Sequence, residues 1–422
     1  MDHFLRIIKR FIPKALFVRL QPAYHYTLAL LSALLYRFPS KKLCVIAVTG
    51  TKGKSSVVEL INATLENAGY KTAVANTIRF KVGNESERNL YKMTMPGRFF
   101  MQRFLRRAVS GGATHAVVEM TSEGAKFYRH ACIDLDALVF TNLSPEHIES
   151  HGSFTNYLKA KLRLRDSLIR SRKQHKAVIV NADDPHGKDF LAVPDSIERI
   201  AYSLSDATGT KDTSAISFIY NNAHYSSPLQ GTFNVYNVLA AIKTAEHLGV
   251  GVEMIRDAIA AFSIIPGRVE HIRVGQPFDV IVDYAHTPDS LKQLYGAFKN
   301  KKKICVLGNT GGGRDMWKRP TMGALAETYC DMVILTDEDP YDEDPRMIVR
   351  DMAAGMKTKP TIIMDRREAI YTACLNASKD DVVLITGKGT DPYIMRADGK
   401  KEPWSDKTVA EEELKRLLAN ER

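Results

Sequence analysis

The chain has 422 residues, 45% of them hydrophobic and 25% charged, which is enough to bury two or three cores and too apolar for disorder. The formal charge of +11 would suit nucleic acid, an acidic membrane surface or a polyanionic substrate. However, Lys and Arg are spread along the chain without an aromatic-interleaved basic stripe, so no nucleic-acid partner is expected. Cys44, Cys132, Cys305, Cys330 and Cys374 lie far apart with no Cys-x-x-Cys pair, which argues against a disulfide framework or zinc site and for buried thiols in a reducing cytoplasm.

Residues 1–42 differ in character from the rest. Phe4, Leu5, Ile8, Phe11 and Ile12 recur at helical spacing, with Arg6, Lys9, Arg10 and Lys14 on a basic face. After Pro22 a second apolar stretch, Leu28 to Tyr36, carries no charge. It is shorter than the about 20 apolar residues a bilayer span needs, and no small-residue cleavage site follows it. Two readings stand: a helix pair packed on the next domain, with Tyr24, Tyr26 and Tyr36 covering its surface, or a basic interfacial anchor at the inner membrane surface.

From Leu43 onward apolar strands alternate with amphipathic helices, the pattern of a mostly parallel sheet covered on both faces. Strands are predicted at Val45–Val48, Ala116–Met120, Ala137–Thr141 and Ala177–Val180, and helices at Val57–Ala68, Phe99–Val109, Tyr157–Arg170 and Asn237–Leu248. The Asn/Ser-rich stretch from Ile197 to Phe233 reads as an antiparallel appendage. Ile265-Pro266-Gly267-Arg268 marks a hinge, dividing a domain at 43–267 from one at 268–422. In the second domain Val280–Val282, Ile304–Leu307, Met332–Leu335, Thr361–Met364 and Val382–Thr386 read as strands.

The first of these strands runs into Thr49-Gly50-Thr51-Lys52-Gly53-Lys54-Ser55-Ser56, a phosphate cradle. Gly50 and Gly53 free the backbone to turn N–H groups onto an anion, Lys54 supplies a point charge for the β/γ-phosphates, Ser55 a hydroxyl for Mg²⁺, and the following helix its positive dipole end. Only two residues separate the glycines, against four in the general motif. Glu119, at the carboxyl end of the second strand, and Thr141-Asn142-Leu143-Ser144-Pro145-Glu146-His147, after the third, belong on the same sheet edge, where ligands bind. Glu119 would be an oxygen ligand for Mg²⁺ and His147 a ligand to a second divalent ion. The alternatives are a capping box at Glu119-Met120-Thr121-Ser122 and simple packing of His147.

These residues resemble the Mur ligase family, the ATP-dependent enzymes that build the peptide stem of bacterial cell walls, from about Leu43 almost to the C-terminus. The likeness is greatest to the branch that adds the third amino acid of the stem. The resemblance implies an α/β fold with a central P-loop-type ATPase domain and a C-terminal Rossmann-like domain, and the use of ATP and Mg²⁺. It accounts for the shortened phosphate loop and places Glu119 and His147 at the two metal-ligand positions. It also makes Lys161, in Tyr157-Leu158-Lys159-Ala160-Lys161, a lysine carbamylated to a carboxylate; read from the residues alone, Lys161 is a solvated helix residue. Asp183 and Asp184 resemble a structural turn, and Asn237, in Gly231–Asn237, a contact to adenine. Arg268, Asp283 and His286, in Pro266–Glu270 and Asp283–Ser290, resemble residues that grip ATP, with Arg268 suited to the γ-phosphate and an interdomain salt bridge as its alternative.

Thr94, in Met93–Gly97, with Ser122 and Arg129 resembles the contacts to a muramyl dipeptide, and Asp337, Asp339, Gly387 and Asp391 fall in the segments that receive the amino acid. There the chain departs from the family. Asp-Asn-Pro-Arg becomes Asp337-Glu338-Asp339-Pro340-Tyr341, Gly-Lys-Gly-His-Glu becomes Gly387-Lys388-Gly389-Thr390-Asp391, and a His becomes Glu123. A lost arginine and added acids favour lysine or another basic amino acid. The family's N-terminal domain of roughly a hundred residues is expected to be missing, which leaves open a UDP-linked or lipid-linked acceptor. The implied reaction is attack of a substrate carboxylate on the γ-phosphate of ATP, then displacement of phosphate from the acyl phosphate by an amine, in a cytoplasmic monomer. Its rivals are a polyglutamate or folylpolyglutamate-type ligase, a ligase for lipid-linked precursor, and a non-catalytic nucleotide-binding regulator.

Overall fold

The computed structural model describes residues 14–212, 215–262 and 265–420. Helix α1 (Lys14–Leu35) leads into an eight-stranded sheet of β1 (Cys44–Thr49), β2 (Thr72–Ala75), β3 (Arg79–Val82), β4 (Glu85–Arg88), β5 (His115–Glu119), β6 (Ala137–Phe140), β7 (Lys176–Asn181) and β8 (Ile197–Tyr202). The spatial order is β4-β3-β2-β5-β1-β6-β7-β8, and only β3 runs against the rest, so the β2–β3 and β3–β4 pairings at one edge are antiparallel. Helices α2 (Lys54–Asn67), α3 (Arg98–Ser110), α4 (Ser122–Lys126), α5 (Ile148–His151), α6 (Phe154–Arg170) and α7 (Gly187–Leu191) connect these strands. An antiparallel meander, β9 (Thr208–Asp212), β10 (Ile216–Tyr220) and β11 (Ala223–Ser227), precedes α8 (Thr232–His247) and α9 (Val252–Ala261). The parallel sheet is apolar on both faces. Ile46 and Val48 join the core under α2 and α8, while Val45 and Ala47 join the one under α3 and α6, which is why β1 reads as a continuous apolar run.

Past Gly267, β12 (Glu270–Ile272), β13 (Asp279–Asp283), β14 (Lys303–Leu307), β15 (Met332–Leu335), β16 (Thr361–Ile362) and β17 (Val382–Thr386) form a sheet in the order β12-β13-β17-β14-β15-β16, all parallel but β12. It is flanked by α10 (Pro288–Ala297), α11 (Lys318–Tyr329), α12 (Pro345–Ala353), α13 (Arg366–Leu375) and α14 (Asp406–Asn420), with a small hairpin, β18 (Tyr393–Met395) and β19 (Lys401–Pro403), beyond β17. A fold of two α/β units, as expected, is therefore present, with three corrections.

Ile197–Tyr202 pairs in parallel with β7 and completes the main sheet, so the antiparallel appendage is only the meander. The helix that carries the second apolar stretch begins before Pro22, not after it: α1 continues through Pro22, which forfeits a single backbone hydrogen bond on an exposed face. The basic stretch Phe4–Ile12 lies outside the described residues. Finally, Cys305 and Cys330 form a disulfide, because the parallel pairing of β14 with β15 brings the end of α11 back beside β14. A 25-residue separation hides that closure from spacing rules. Cys44, Cys132 and Cys374 remain thiols.

Burial also makes the fold acid-sensitive. His130 is 5% exposed, and desolvation holds its pKa down to about 4 against an ordinary 6.5. The native state therefore binds fewer protons than the unfolded chain in that interval. Stability is complete above about pH 6.5 and falls as pH drops toward about 4. His130→Gln is expected to reduce the difference in denaturant midpoint between about pH 7 and about pH 5; an unchanged difference would exclude His130 as a source of the acid sensitivity.

Candidate active site

A cavity of about 350 Å³ opens at the carboxyl end of β1 and extends between the two α/β units. Here β1 has β5 on one side and β6 on the other, the switch point at which open α/β sheets bind ligands. The loop after β1 has no latitude. Gly50 has φ +148° and a Cβ there would lie 1.9 Å from Thr141 Oγ1, while Gly53 has φ +80° and its Cβ would meet Asn237 Oδ1 at 2.4 Å. Helix α2 begins at Lys54, three residues earlier than its apolar periodicity implies, so Ser55 and Ser56 sit in its first turn. The β6 loop pins the cradle from outside: the Lys52 N–H donates to Asn142 Oδ1 at 2.8 Å, and Thr141 Oγ1 donates to the Lys52 carbonyl at 2.6 Å.

Glu119 is 2% exposed and faces the loop. Ser55 Oγ donates to its Oε2 at 2.8 Å, the Thr77 N–H at 3.1 Å, and Lys54 Nζ lies 3.9 Å from Oε1. The capping role falls instead to Thr121, whose side chain accepts from the Gly124 N–H at the start of α4. Lys161 is not a solvated helix residue. It occupies the inward stripe of α6 with Tyr157, Ala160, Leu164 and Leu168, and its Nζ donates to the Gly50 carbonyl at 2.5 Å under the phosphate loop. Burial first, and then the positive charge of Lys54, hold its pKa well below the ordinary lysine value.

The second unit closes over this edge. Arg268 lies 4.4 Å from the Tyr284 ring centroid, and among the described residues its guanidinium makes no ion pair with a carboxylate, so the interdomain salt bridge is not what holds it. Gly267, at φ +64°, would place a Cβ 2.6 Å from the Thr390 nitrogen, so the hinge packs directly on the Gly387–Asp391 loop. His286 Nε2 meets Glu146 Oε1 at 3.0 Å, and Lys52 Nζ lies 3.1 Å from the same oxygen. Burial and Lys52 push His286 down to about 4, while Lys52 and the His286 hydrogen bond, against burial, keep Glu146 well below the usual carboxylate range. Asp315 accepts from the His147 and Ile148 N–H groups, each at 3.2 Å. Asp283, buried, accepts from the Val269 and Ala285 N–H groups at 2.7 Å.

At the far end stand Thr94, Ser122 and Arg129 and the segments around Asp339 and Gly387. Thr94 Oγ1 bonds Thr77 Oγ1 at 2.7 Å, Ser122 Oγ lies 3.2 Å from His151 Nε2, and Arg129 donates to the Met95 carbonyl. Asp339 and Asp391 are not surplus acids. Lys92, from the loop after β4, places Nζ 2.7 Å from Asp339 and 3.0 Å from Asp391, and Lys388 adds 2.8 and 3.5 Å contacts. Lys388 and Lys92, outweighing burial, hold Asp339 below the ordinary carboxylate range. Asp337 is not in the cavity lining and pairs with Arg396. Its neighbour Glu338 lines the wall instead, 2% exposed and raised by burial. Sequence reasoning passed over Glu146, Lys318, Glu338 and Lys92. Only Glu146 carried a signal, its place in the loop with His147.

Residues 48–245 match the Mur ligase middle domain and 267–389 the Mur ligase glutamate ligase domain. The chain is 38% identical to the UDP-N-acetylmuramoyl-L-alanyl-D-glutamate–2,6-diaminopimelate ligase of Syntrophomonas wolfei, over 92% of its own length and 81% of the relative's. The chain belongs to the Mur ligase family. It is accordingly an ADP-forming amide ligase that uses ATP. A second relative, the UDP-N-acetylmuramyl-tripeptide synthetase of a Roseiflexus species, is 34% identical across 94% of this chain and 83% of its own. A solved diaminopimelate ligase superposes with a TM-score of 0.60 at 30% identity, covering 89% of this chain and 79% of that one. The folylpolyglutamate synthase of Mycobacterium tuberculosis, at TM-score 0.70 and 16% identity over 87% and 93% of the two chains, shares the fold.

Among the described residues no three His, Cys, Asp or Glu side chains form a ready-made metal cluster. The donors at the loop nevertheless fit a hard divalent cation: a buried carboxylate on Glu119 and the Ser55 hydroxyl, side by side beneath the phosphate cradle.

Proposed function

We propose that this ligase joins a diamino acid to the free carboxylate of a muramyl dipeptide, with ATP bound between the phosphate loop and the hinge. The family's reaction, ATP-dependent ligation of an amino acid to a muramyl peptide, is the reaction of this chain. The observation that carries the placement is the convergence of Lys52, Lys54, Lys318 and Arg268 on one cavity wall, where burial first, and then the neighbouring cations, lower the proton affinity of Lys54 and Lys318. A cluster of cations in a half-dry cavity suits a polyanion such as a triphosphate.

In this reading the loop N–H groups and Lys54 hold the β/γ-phosphates, Arg268 follows charge toward the transferred phosphoryl group, and Asn237 lies against adenine. Asp283 and His286 fix the closing loop. Mg²⁺ on Ser55 and Glu119, with a second ion at His147 and carbamylated Lys161, would neutralise phosphate oxygens. Thr94, Ser122 and Arg129 orient the acceptor so that its carboxylate meets the γ-phosphate in line, and closure of the second unit excludes water from the acyl phosphate.

At the amino-acid end, pairing of Asp339 and Asp391 with Lys92 and Lys388 removes the argument for a simple basic substrate from surplus acids. Arg314, 4.8 Å from the Tyr341 ring centroid, brings a guanidinium to the place where the family arginine is absent, which suits the distal carboxylate of diaminopimelate. The enzyme works as a monomer in the cytoplasm, with peripheral membrane contact through residues 1–40. No helix among the described residues is long and apolar enough to cross a membrane.

Phosphate release with a panel of amino acids, crossed with UDP-muramyl dipeptide and with simpler glutamyl acceptors, tests this reading. Release is expected with the muramyl dipeptide and a diamino acid, diaminopimelate above lysine. Lysine above diaminopimelate would overturn the role of Arg314. Release with glutamate on glutamyl acceptors would replace the reading with a polyglutamate ligase, and none with any pair would leave a nucleotide-binding regulator.

A further inference from the structure

Helix α1 has two apolar faces, and among the described residues the protein covers one. On the inner face Ala29, Ser32 and Ala33 are buried, His25 meets Arg98 and lies edge-on to Phe127 at 5.4 Å, and Ser40 beyond the helix accepts from the Asp134 N–H at 3.0 Å. The outer face carries Leu20, Tyr24, Leu31, Leu34 and Leu35, each 49–65% exposed and spaced to share one side of a 3.6-residue helix. Packing accounts for the inner face and leaves the outer one unexplained.

Charge says what covers the outer face. Between Leu20 and Tyr36 there is no Asp, Glu, Lys or Arg, and from residue 3 to residue 58 there is no acid at all. The apolar run is bracketed by Arg6, Lys9, Arg10, Lys14 and Arg19 before it and by Arg37, Lys41 and Lys42 after it. A second copy of the chain would oppose these cations with the same cations. An anionic lipid surface would take up the leucines while neutralising the exposed Arg37, Lys41 and Lys42 at the end of the helix.

We propose that the outer face of α1 is a docking surface for an anionic lipid bilayer, with the helix lying in the interface. The acceptor end of the cavity adjoins the inner face of the same helix. Phe127, which holds His25, also carries Arg129 at 5.6 Å over its ring, and both Arg129 and Met95 line the cavity. Docking therefore holds the acceptor end of the cavity one helix away from the membrane surface, a consequence whose meaning rests on the ligase reading; the docking itself does not.

The test is co-sedimentation of the full chain with vesicles of phosphatidylcholine plus phosphatidylglycerol, against phosphatidylcholine alone. A second sample carries Leu31→Gln, Leu34→Gln and Leu35→Gln together, which keeps every charge and changes only exposed positions. The wild type is expected to pellet with the anionic vesicles and to be released by salt. The triple variant, with an unchanged melting temperature, should need roughly tenfold more lipid for half-binding. Three results overturn the proposal: wild type left in the supernatant, variant and wild type binding alike through net charge, or a lipid-free dimer that the variant converts to monomer. Phosphate release with soluble UDP-muramyl dipeptide, run in parallel, separates the two readings. If it is absent while vesicle binding is intact, the ligase reading fails and the docking stands.

Discussion

Lys54→Ala is expected to abolish ATP turnover while leaving the melting temperature unchanged or slightly raised. The side chain does little for the fold. Its Nζ donates to the Thr51 carbonyl at 2.8 Å within its own loop and stands 3.9 Å from Glu119, while the loop is held by Asn142, Thr141 and the two glycines. Burial lowers its proton affinity, with Lys52 and Arg268 adding to the effect and Glu119 and Glu146 opposing it, so removing it relieves repulsion among buried cations. With nucleotide bound the balance reverses. Loss of a desolvated partner of the transferring phosphoryl group costs on the order of 3–4 kcal/mol or more, a hundredfold to thousandfold in rate. The checks are phosphate release under saturating substrates and thermal melting of the free protein. Near-normal turnover would sink the nucleotide assignment, and loss of the fold would show that the loop depends on Lys54 structurally.

The parts of this site that were legible in the sequence are those in which residue type alone dictates geometry. Gly50 and Gly53 mark positions where a Cβ cannot fit, and the β1–loop–α2 transition follows from an apolar run meeting them. Glu119 and His147 could be placed because one ends and the other follows the two strands that flank β1. What was hidden depends on contacts made across the chain. Lys92 reaches Asp339 from 247 residues away, and no local pattern announces a lysine that neutralises acids in another domain. Asp337 and Glu338 exchange roles because the chain leaving β15 turns one toward Arg396 and the other into the cavity, a one-residue distinction that composition cannot make. The disulfide is of the same kind: sheet order, not cysteine spacing, brings Cys305 to Cys330. Lys161 was the extreme case. Its inward position follows from the stripe Tyr157, Ala160, Leu164, Leu168, but its pairing with the Gly50 carbonyl needs the relative placement of α6 and β1.

That burial shapes what Lys161 can become. An amine with no solvent, close to Lys54 and bonded only to a carbonyl, is disfavoured as an ammonium. The neutral amine is the form that adds to carbon dioxide, giving a carbamate and releasing a proton, and the resulting anion would offset the cations around it. Lys161→Ala is therefore expected to be inactive with ATP and acceptor saturating, and to regain part of its rate with added short carboxylates, since an oxygen anion is what a hard metal ion requires there. Lys161→Glu should recover less, because its carboxylate falls short of where a carbamylated lysine would end. A readout independent of activity accompanies these: wild-type protein equilibrated with isotopically labelled bicarbonate should show one carbamate by carbon NMR, and Lys161→Ala should lack it. Full activity of Lys161→Ala in bicarbonate-depleted buffer, or a carbamate signal that persists in the variant, would remove the modification from this site and leave Lys161 as a buried prop for the phosphate loop.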